Sequence, residues 1–246
     1  MPRRRRRLLL AALALLWLPG GARALAAPPT VAWEPVEPGV EHARAPFELY
    51  RFDLARFRPE VIISTKRPFA RRRAADVLRE TPGAVAVVNG GFFDDKGAPL
   101  GLRISHGATI VPLRPHVDWG VLAVSGGHAR IVHSSELSTA PLDAAIQVGP
   151  RILIDGVVPR LKPQVARRTA VALTKDGASL TLVVAPEPVD AATLGARLAA
   201  LGFTSALLLD GGPSTQLAVD AGSAGIPGAY GVPDLLALVR RARPSP

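Results

Sequence analysis

AVAVVNGGFF at 84–93 and ALLLDGGPST at 206–215 are the two stretches that decide the fold of this chain. Each begins with a short apolar run, which is typical of a buried strand, and each run ends in a polar residue followed by two glycines. Paired glycines let the backbone turn sharply and approach another group closely. The two stretches therefore predict two buried strands, which carry Asn89 and Asp210 into loops at their ends.

Two helices are predicted outside these stretches. The clearer one covers 191–201, where Asp190 is placed to cap the first turn and Gly202 to end the last one. Within 69–80, apolar residues at helical spacing predict a second, amphipathic helix with arginines on its solvated side. The segment 232–239 fits either a strand or a helix.

Short apolar or alternating runs predict many further strands. They lie at 47–54, 61–64, 101–105, 119–125, 128–133, 144–148, 151–154, 169–174 and 179–185. Lys175-Asp176-Gly177 predicts a tight hairpin between the last two, because Asp-Gly tolerates positive φ. The pattern favours a mixed α/β fold of the α+β kind, as a single compact domain over 47–242 that follows an extended lead-in at 27–46.

The first 26 residues have the pattern of a secretory signal peptide. A basic run at Arg3–Arg7 precedes the apolar stretch Leu8–Leu18, and small residues at Ala24 and Ala26 suit cleavage. The apolar stretch is about half the ~20 residues that span a bilayer. We expect a bacterial protein that is secreted or periplasmic, with no membrane span after signal removal; an uncleaved basic anchor is the alternative.

Composition excludes several classes of function. The chain has no cysteine, so disulfides, thiolate nucleophiles and Cys-ligated metals are excluded. Of the net charge of +10, six positive charges lie in the first 26 residues, which leaves +4 for the remainder. A charge of that size does not by itself indicate a nucleic-acid partner, and we expect none.

The motifs, taken in order, resemble the phosphodiester glycosidase domain family. The matches are NGGFF at 89–93, Gln147-x-Gly149-Pro150, Arg168-Thr169-Ala170-Val171 and Leu209-Asp210-Gly211-Gly212-x-Ser214. The resemblance covers roughly residues 40–240 and departs from the family pattern at Pro213 and Ala172. It implies a hydrolase that cleaves the sugar C1–O bond of a sugar-phosphate diester. The substrate would be a phosphorylated carbohydrate of envelope or exopolysaccharide metabolism.

The resemblance also places the site residues. It implies a cleft with the two glycine loops as opposite walls, and we take Asp210 as nucleophile or general base and Arg168 as the phosphate-binding cation. Asn89 is the third catalytic candidate. The candidates for substrate binding, through backbone N–H groups or side chains, are Gly90, Gly91, Arg103, Gln147, Thr169, Gly211, Gly212 and Ser214.

One carboxylate together with a cation is expected to suffice for this reaction. An ordinary glycosidase needs a second carboxylic acid to protonate the leaving sugar. Here the leaving group is a phosphomonoester, whose second pKa is ~6, so it departs largely without protonation. Asp94 and Asp95 are the nearest candidates for a second carboxylate, although both fit a solvated turn.

Two other functions compete with this interpretation. A phosphodiesterase that attacks phosphorus would use metal ions, but the five histidines show no metal-binding spacing. We therefore expect no metal or other cofactor, while a divalent cation at an acidic loop stays open. The second alternative is a non-catalytic module that binds phosphorylated or acidic cell-envelope polysaccharide.

Overall fold

The computed structural model describes residues 31–44, 47–138, 140–220 and 225–242. The predicted signal peptide lies outside these residues. The described part contains two α-helices, α1 (Ala74–Glu80) and α2 (Ala191–Ala200). Its strands are β1 (Glu34–Glu37), β2 (Val40–Arg44), β3 (Glu48–Asp53), β4 (Phe57–Ile63), β5 (Ala84–Asn89), β6 (Arg103–Ser105), β7 (Ala108–Val111), β8 (Gly120–Ser125), β9 (His128–His133), β10 (Ala144–Val148), β11 (Arg151–Leu153), β12 (Val165–Leu173), β13 (Ser179–Asp190), β14 (Ser205–Leu208), β15 (Leu217–Val219) and β16 (Asp234–Arg240).

The strands form three antiparallel sheets. A seven-stranded sheet has the order β1-β2-β3-β13-β12-β14-β11, a five-stranded sheet the order β7-β6-β10-β8-β9, and a four-stranded sheet the order β15-β5-β16-β4. The expected mixed fold is therefore confirmed, with strands dominating and the helices packed outside the sheets. The tight turn at 175–177 joins β12 to β13, and Gly177 has φ +63° as that turn requires.

All three sheets pack around one shared apolar core. Leu207 of the seven-stranded sheet, Ile146 of the five-stranded sheet and Val88 of the four-stranded sheet belong to the same buried cluster. The helices cover the outer faces: α2 packs Leu194 and Leu198 on the seven-stranded sheet, and α1 packs on the four-stranded sheet. Strands buried on both faces explain the continuous apolar runs in the sequence.

Local signals in the sequence explain where α2 begins and ends. The Asp190 carboxylate accepts a hydrogen bond from the Ala192 N–H at 2.9 Å, which caps the helix start. After the helix, Gly202 has φ +87°, the left-handed conformation that terminates helices. Both features match the sequence prediction.

Two segments differ from expectation or resolve an ambiguity. The segment 27–46 was expected to be an extended lead-in, but its described part forms the β1–β2 hairpin, and β2 pairs with β3 at the edge of the large sheet. The ambiguous segment 232–239 forms β16, a central strand between β5 and β4. Within the described residues, no helix combines the length and apolar character that crossing a bilayer requires.

Candidate active site

The two glycine loops touch directly, although they follow strands of different sheets. The Asp210 N–H donates to the Gly90 carbonyl at 3.0 Å, and Asn89 Nδ2 donates to the Asp210 carbonyl at 2.7 Å. From the sequence, the two loops were expected to be opposite walls of a cleft. The loops instead meet directly through these two hydrogen bonds, which join the end of β5 and the residue after it to the loop that follows β14.

The Asn89 side chain connects the two loops through hydrogen bonds. Its side chain is fully buried, and its Oδ1 accepts hydrogen bonds from Thr169 Oγ1 at 2.7 Å and from the Gln216 N–H at 3.2 Å. With Nδ2 also bound to the Asp210 carbonyl, both ends of the amide are occupied by the protein. Asn89 and Thr169 are therefore placed to position Asp210 rather than to touch a substrate.

A buried ion pair supports the first loop. Arg103 Nε lies 2.7 Å from Asp234 Oδ2, and both side chains are 0% exposed. The other guanidinium nitrogens donate to backbone carbonyls, including Phe92 at 3.2 Å and Gln147 at 3.0 Å. Arg103 was a candidate phosphate ligand. Its N–H donors are instead used inside the protein, so Arg103 stabilises the first loop from beneath.

Positions 90 and 91 require glycine because the ion pair packs directly against them. The Gly90 N–H donates to the Asp234 carbonyl at 2.9 Å, and the Gly91 N–H donates to Asp234 Oδ2 at 3.0 Å. A Cβ on Gly90 would lie 2.0 Å from Asp234 Oδ2, and one on Gly91 would lie 2.4 Å from Arg103 Nη2. These N–H groups therefore point into the protein, contrary to their expected role as phosphate donors.

Gln147 is likewise a structural residue in this fold. It is fully buried on β10, where its Oε1 accepts from the N–H groups of Leu102 (3.0 Å) and Arg114 (2.8 Å). Its Nε2 donates to the Arg114 carbonyl and to Ser134 Oγ, both at 2.9 Å. All four hydrogen-bonding positions of the amide are filled, which leaves none for the sugar contact expected from the sequence.

Among the residues that join the two glycine loops, Asp210 has a carboxylate that reaches solvent. It follows β14, is partly exposed, and accepts hydrogen bonds from the Gly211 N–H at 2.9 Å and from the Ser214 hydroxyl. Burial raises the pKa of Asp210 above its ordinary value, and the nearby charge of Asp234 adds to the rise. The two hydrogen bonds and the Arg103 charge oppose that rise in the pKa.

The second glycine pair differs from the first in its surroundings. Gly212 has φ +58°, and a Cβ built on it would meet nothing within 4 Å. Glycine is therefore required at position 212 by the backbone conformation and not by lack of space. The space around it leaves the loop open beside Asp210. Ser214, two residues further on, is buried beneath the loop.

Arg168 on β12 lies next to this second loop. A Cβ on Gly211 would lie 4.0 Å from Arg168 Nη1, while Nε and Nη2 donate to the carbonyls of Val189 and Gln164. Only 7% of Arg168 is exposed, and burial lowers the pKa of its guanidinium while the charge of Asp190 raises it. The guanidinium is thus a largely buried cation with one edge toward the Asp210 loop.

Three residues of this region were not predicted from the sequence. Asp234 holds the first loop, the Gln216 side chain accepts from the Ala74 N–H at 2.7 Å, and Tyr230 brings its hydroxyl to 3.4 Å from Ser214 Oγ. For Asp234, the sequence signal that could have been used is its position as an acid at the start of an apolar run. In the described part of the chain, no group of three or more His, Asp or Glu side chains could hold a metal ion.

A family model identifies the chain. The model of the phosphodiester glycosidase family matches residues 82–238, which include both glycine loops, Gln147 and Arg168. The chain belongs to the phosphodiester glycosidase family. The resemblance carried by the motifs is thereby confirmed, and the match begins just before the strand that delivers Asn89.

This phosphodiester glycosidase domain is similar in sequence to a curated bacterial protein. The uncharacterized protein YigE of Escherichia coli is 34% identical over 112 residues, which are 39% of this chain and 43% of that protein. The chain thus matches less than half the length of this curated relative.

Solved structures share the fold of the domain. The catalytic domain of zebrafish N-acetylglucosamine-1-phosphodiester alpha-N-acetylglucosaminidase, auto-inhibited by its pro-peptide, superposes with a TM-score of 0.61 at 16% identity, covering 86% of this chain and 82% of that one. A candidate exported protein of Burkholderia pseudomallei gives a TM-score of 0.57 at 14% identity, covering 81% and 74% of the two chains. At these identities the likeness concerns the fold alone.

Proposed function

We propose that the protein is a glycoside hydrolase that cleaves the C1–O bond of a sugar phosphodiester. The observation that carries the proposal is the environment of Asp210, a partly exposed carboxylate held by the Gly211 N–H and the Ser214 hydroxyl at the meeting point of the two family loops. Preorganised carboxylates with a perturbed pKa are typical of catalytic sites. Family membership supports a phosphorylated sugar as the substrate.

The proposed reaction uses Asp210 on one side of C1 and binds the leaving phosphate on the other. Ionised Asp210 attacks C1 directly or takes a proton from the water that does so, and the C1–O electron pair leaves with the phosphate oxygen. Water supplies the hydroxyl of the released sugar, and the second product is a phosphomonoester. No acid is needed for that leaving group, because its second pKa is ~6.

Arg168 is the proposed partner of the phosphate. Its guanidinium is a poorly compensated cation, since Nε and Nη2 bind neutral carbonyls and Asp190 acts on it only through its charge. The Nη1 edge next to Gly211 remains the route by which it would reach a phosphate oxygen. Gly211 and Gly212 would border that position. This division of roles requires phosphate on the Arg168 side of Asp210.

We further propose that the enzyme acts outside the bacterial cytoplasm, in envelope or exopolysaccharide metabolism. The proposal is supported by the signal-like pattern of residues 1–26 and by the fold shared with a candidate exported protein. Fractionation of cells that express the full chain, followed by immunoblotting of periplasm and medium, tests it. Retention of the whole pool in the cytoplasm would contradict it.

Hydrolysis in heavy-oxygen water tests the bond that breaks. Sugar 1-phosphate diesters are incubated with the protein, and the products are analysed by mass spectrometry. Label in the sugar supports C1–O cleavage, whereas label in the phosphate would show attack at phosphorus. Asp210→Asn serves as the matched control, and we expect it to lower turnover by about 10³- to 10⁴-fold while substrate binding persists.

The same pair of proteins separates an enzyme from a binding module. If wild type binds sugar phosphodiesters but releases no sugar from any of them, the non-catalytic alternative replaces the proposal. Equal turnover by wild type and Asp210→Asn would remove Asp210 from the mechanism, because its amide can neither attack C1 nor accept a proton from water.

A further inference from the structure

The segment at 227–230 is held over the Asp210 loop by arginines from two separate elements. Arg73 Nη1, just before α1, donates to the Gly228 carbonyl at 2.8 Å, and Arg167 Nη2 on β12 donates to the Pro227 carbonyl at 3.4 Å. The Ala229 N–H in turn donates to the Pro213 carbonyl at 2.9 Å. These three hydrogen bonds therefore fix the backbone immediately before Tyr230, the last residue of the segment.

Tyr230 presents an aromatic ring next to the reacting loop. It is 37% exposed, although its hydroxyl lies 3.4 Å from Ser214 Oγ, the group that hydrogen-bonds Asp210. Its ring meets that of Phe93 edge-on, with the ring centres 6.4 Å apart. Phe93 is the last residue of the NGGFF motif, so the first loop contributes this ring to the site.

Arg71 stands at the far end of this row of contacts. Its guanidinium carbon lies 5.2 Å from the centre of the Phe93 ring, on the face of that ring. A guanidinium stacked in this way keeps its in-plane N–H donors available. We call the row formed by Arg71, Phe93, Tyr230 and Ser214 the aromatic wall.

The arginines close to the aromatic wall differ in their ion pairing. Among the described residues, neither Arg71 nor Arg73 nor Arg167 forms an ion pair, whereas Arg72 and Arg79 nearby pair with Glu80 and Asp76. The Nε atom of Arg167 is also buried without a hydrogen-bond partner in the described part of the protein. Cations without an ion-pair partner beside the exposed ring of Tyr230 suit an anionic ligand with an apolar face.

The aromatic wall begins next to Asp210, because Ser214 at one end of it hydrogen-bonds that carboxylate. Asp210 must reach C1 from the face opposite the leaving phosphate, so the group nearest to Ser214 and Tyr230 is the glycosyl unit. A pyranose presents its C–H face well to an aromatic ring. Arg71 follows Tyr230 and Phe93 in this row of contacts, so it would meet a second sugar rather than the first.

We propose that the aromatic wall binds a glycosyl unit of at least two sugars, with the first sugar against the exposed ring of Tyr230 and Arg71 binding an acidic group on the second sugar. The inference rests on the proposed function and deepens it, because it names an acidic oligosaccharide as the unit released from phosphate. An uronic acid has the required chemistry, since its carboxylate can accept two N–H donors from one guanidinium.

Matched methyl phosphodiesters test this substrate class. Three probes differ only in the glycosyl unit: glucose, a glucosyl-glucose disaccharide and a glucuronosyl-glucose disaccharide. We expect kcat/KM to rise from the first to the third. Arg71→Gln should reduce the ratio between the acidic and the neutral disaccharide by about fivefold, the value of one exposed ion pair.

Two further variants examine the rings and the charge. Tyr230→Ala should lower kcat/KM for both disaccharides by about tenfold, whereas Tyr230→Phe, which keeps the ring, should retain most of it. Arg197→Gln is the matched control, because Arg197 makes the same kind of contact with Phe47 at 5.5 Å but lies on α2, outside the aromatic wall. It should leave the acidic-to-neutral ratio unchanged.

Binding distinguishes failure of this inference from failure of the proposed function. The same three probes are titrated calorimetrically into Asp210→Asn and into Asp210→Asn combined with Arg71→Gln. If wild type turns over none of the probes, the proposed function fails for them. Preferential binding of the acidic disaccharide that Arg71→Gln abolishes would still support the wall. Equal affinity for all three probes, no binding of any, or a preference insensitive to Arg71 would overturn it.

Discussion

Arg103 Nε donates to Asp234 Oδ2 at 2.7 Å, with both side chains excluded from solvent and the two residues 131 positions apart in the chain. The pair sits beneath the first glycine loop, whose Gly91 N–H donates to the same Asp234 oxygen. Because a buried charge is costly without its partner, the pair couples the stability of the core to the shape of the loop.

Asp234→Asn tests that coupling. Loss of the carboxylate leaves the Arg103 charge buried and uncompensated, so the free energy of unfolding should fall by about 3–5 kcal/mol. Urea denaturation measures the change. The surface pair between Arg240 and Glu37 is the control, because both side chains are partly exposed, and Arg240→Gln should cost less than about 1 kcal/mol. A smaller loss for Asp234→Asn than for this control would refute the role of the pair.

The sequence could predict the parts of the site that local patterns encode. Apolar runs that end in Asn89 and Asp210 mark the two strand ends, and Asp190 with Gly202 marks the limits of α2. These features depend on neighbouring residues along the chain, so periodicity and capping rules suffice to find them.

Long-range pairing could not be predicted in the same way. An arginine is rarely buried, so Arg103 on a short strand was predicted to contact phosphate rather than to lie in the core. Its partner Asp234 lies at the start of β16, a segment compatible with either strand or helix. The contact between Gly90 and Asp210 depends on how two sheets meet, which no local pattern specifies.

The pH dependence of activity should report Asp210. Because the proposed mechanism needs the ionised carboxylate and burial raises the pKa of Asp210, kcat/KM should rise with pH through a midpoint above the ordinary aspartate value. Ser214→Ala removes a hydrogen bond that lowers this pKa, so the rise should move to higher pH. A pH profile of kcat/KM from acid to neutral measures the displacement.

Thr215→Val is the matched control for Ser214→Ala. Thr215 is the next residue and is buried, and its hydroxyl makes no hydrogen bond within the described residues. Its removal should leave the midpoint of the profile unchanged. If both variants shift the midpoint equally, the effect arises from packing of the loop and not from the bond to Asp210.

Asp210 should also cost stability at neutral pH. A carboxyl whose pKa is raised by folding binds more protons in the native than in the unfolded state, so stability falls as pH rises from the ordinary aspartate pKa through the raised one. Asp210→Asn cannot ionise and escapes this loss. At about pH 7 its Tm should exceed that of wild type by about 2–4 °C.

The advantage of Asp210→Asn should vanish in acid. Below the ordinary aspartate pKa the wild-type carboxyl is protonated in both states and the burial penalty disappears. Thermal melts of both proteins at several pH values measure the difference in Tm. A constant difference across that range would show that the amide stabilises the loop for a reason unrelated to charge.

Gln147 separates a structural from a substrate-binding role. Its amide fills four hydrogen bonds, two of them to the backbone of Arg114, so Gln147→Ala should leave buried donors and acceptors unpaired. The free energy of unfolding should fall by about 1–3 kcal/mol or more. Because the side chain is 0% exposed, KM for a sugar phosphodiester should change little in the fraction of protein that remains folded.

Gln147→Glu sharpens the distinction. A carboxylate would still accept from the Leu102 and Arg114 N–H groups but would oppose the Arg114 carbonyl and lose the donation to Ser134 Oγ. We expect a stability loss at neutral pH that shrinks in acid, where the protonated carboxyl can donate again. An increase in KM above about tenfold with unchanged stability would instead assign Gln147 to the substrate.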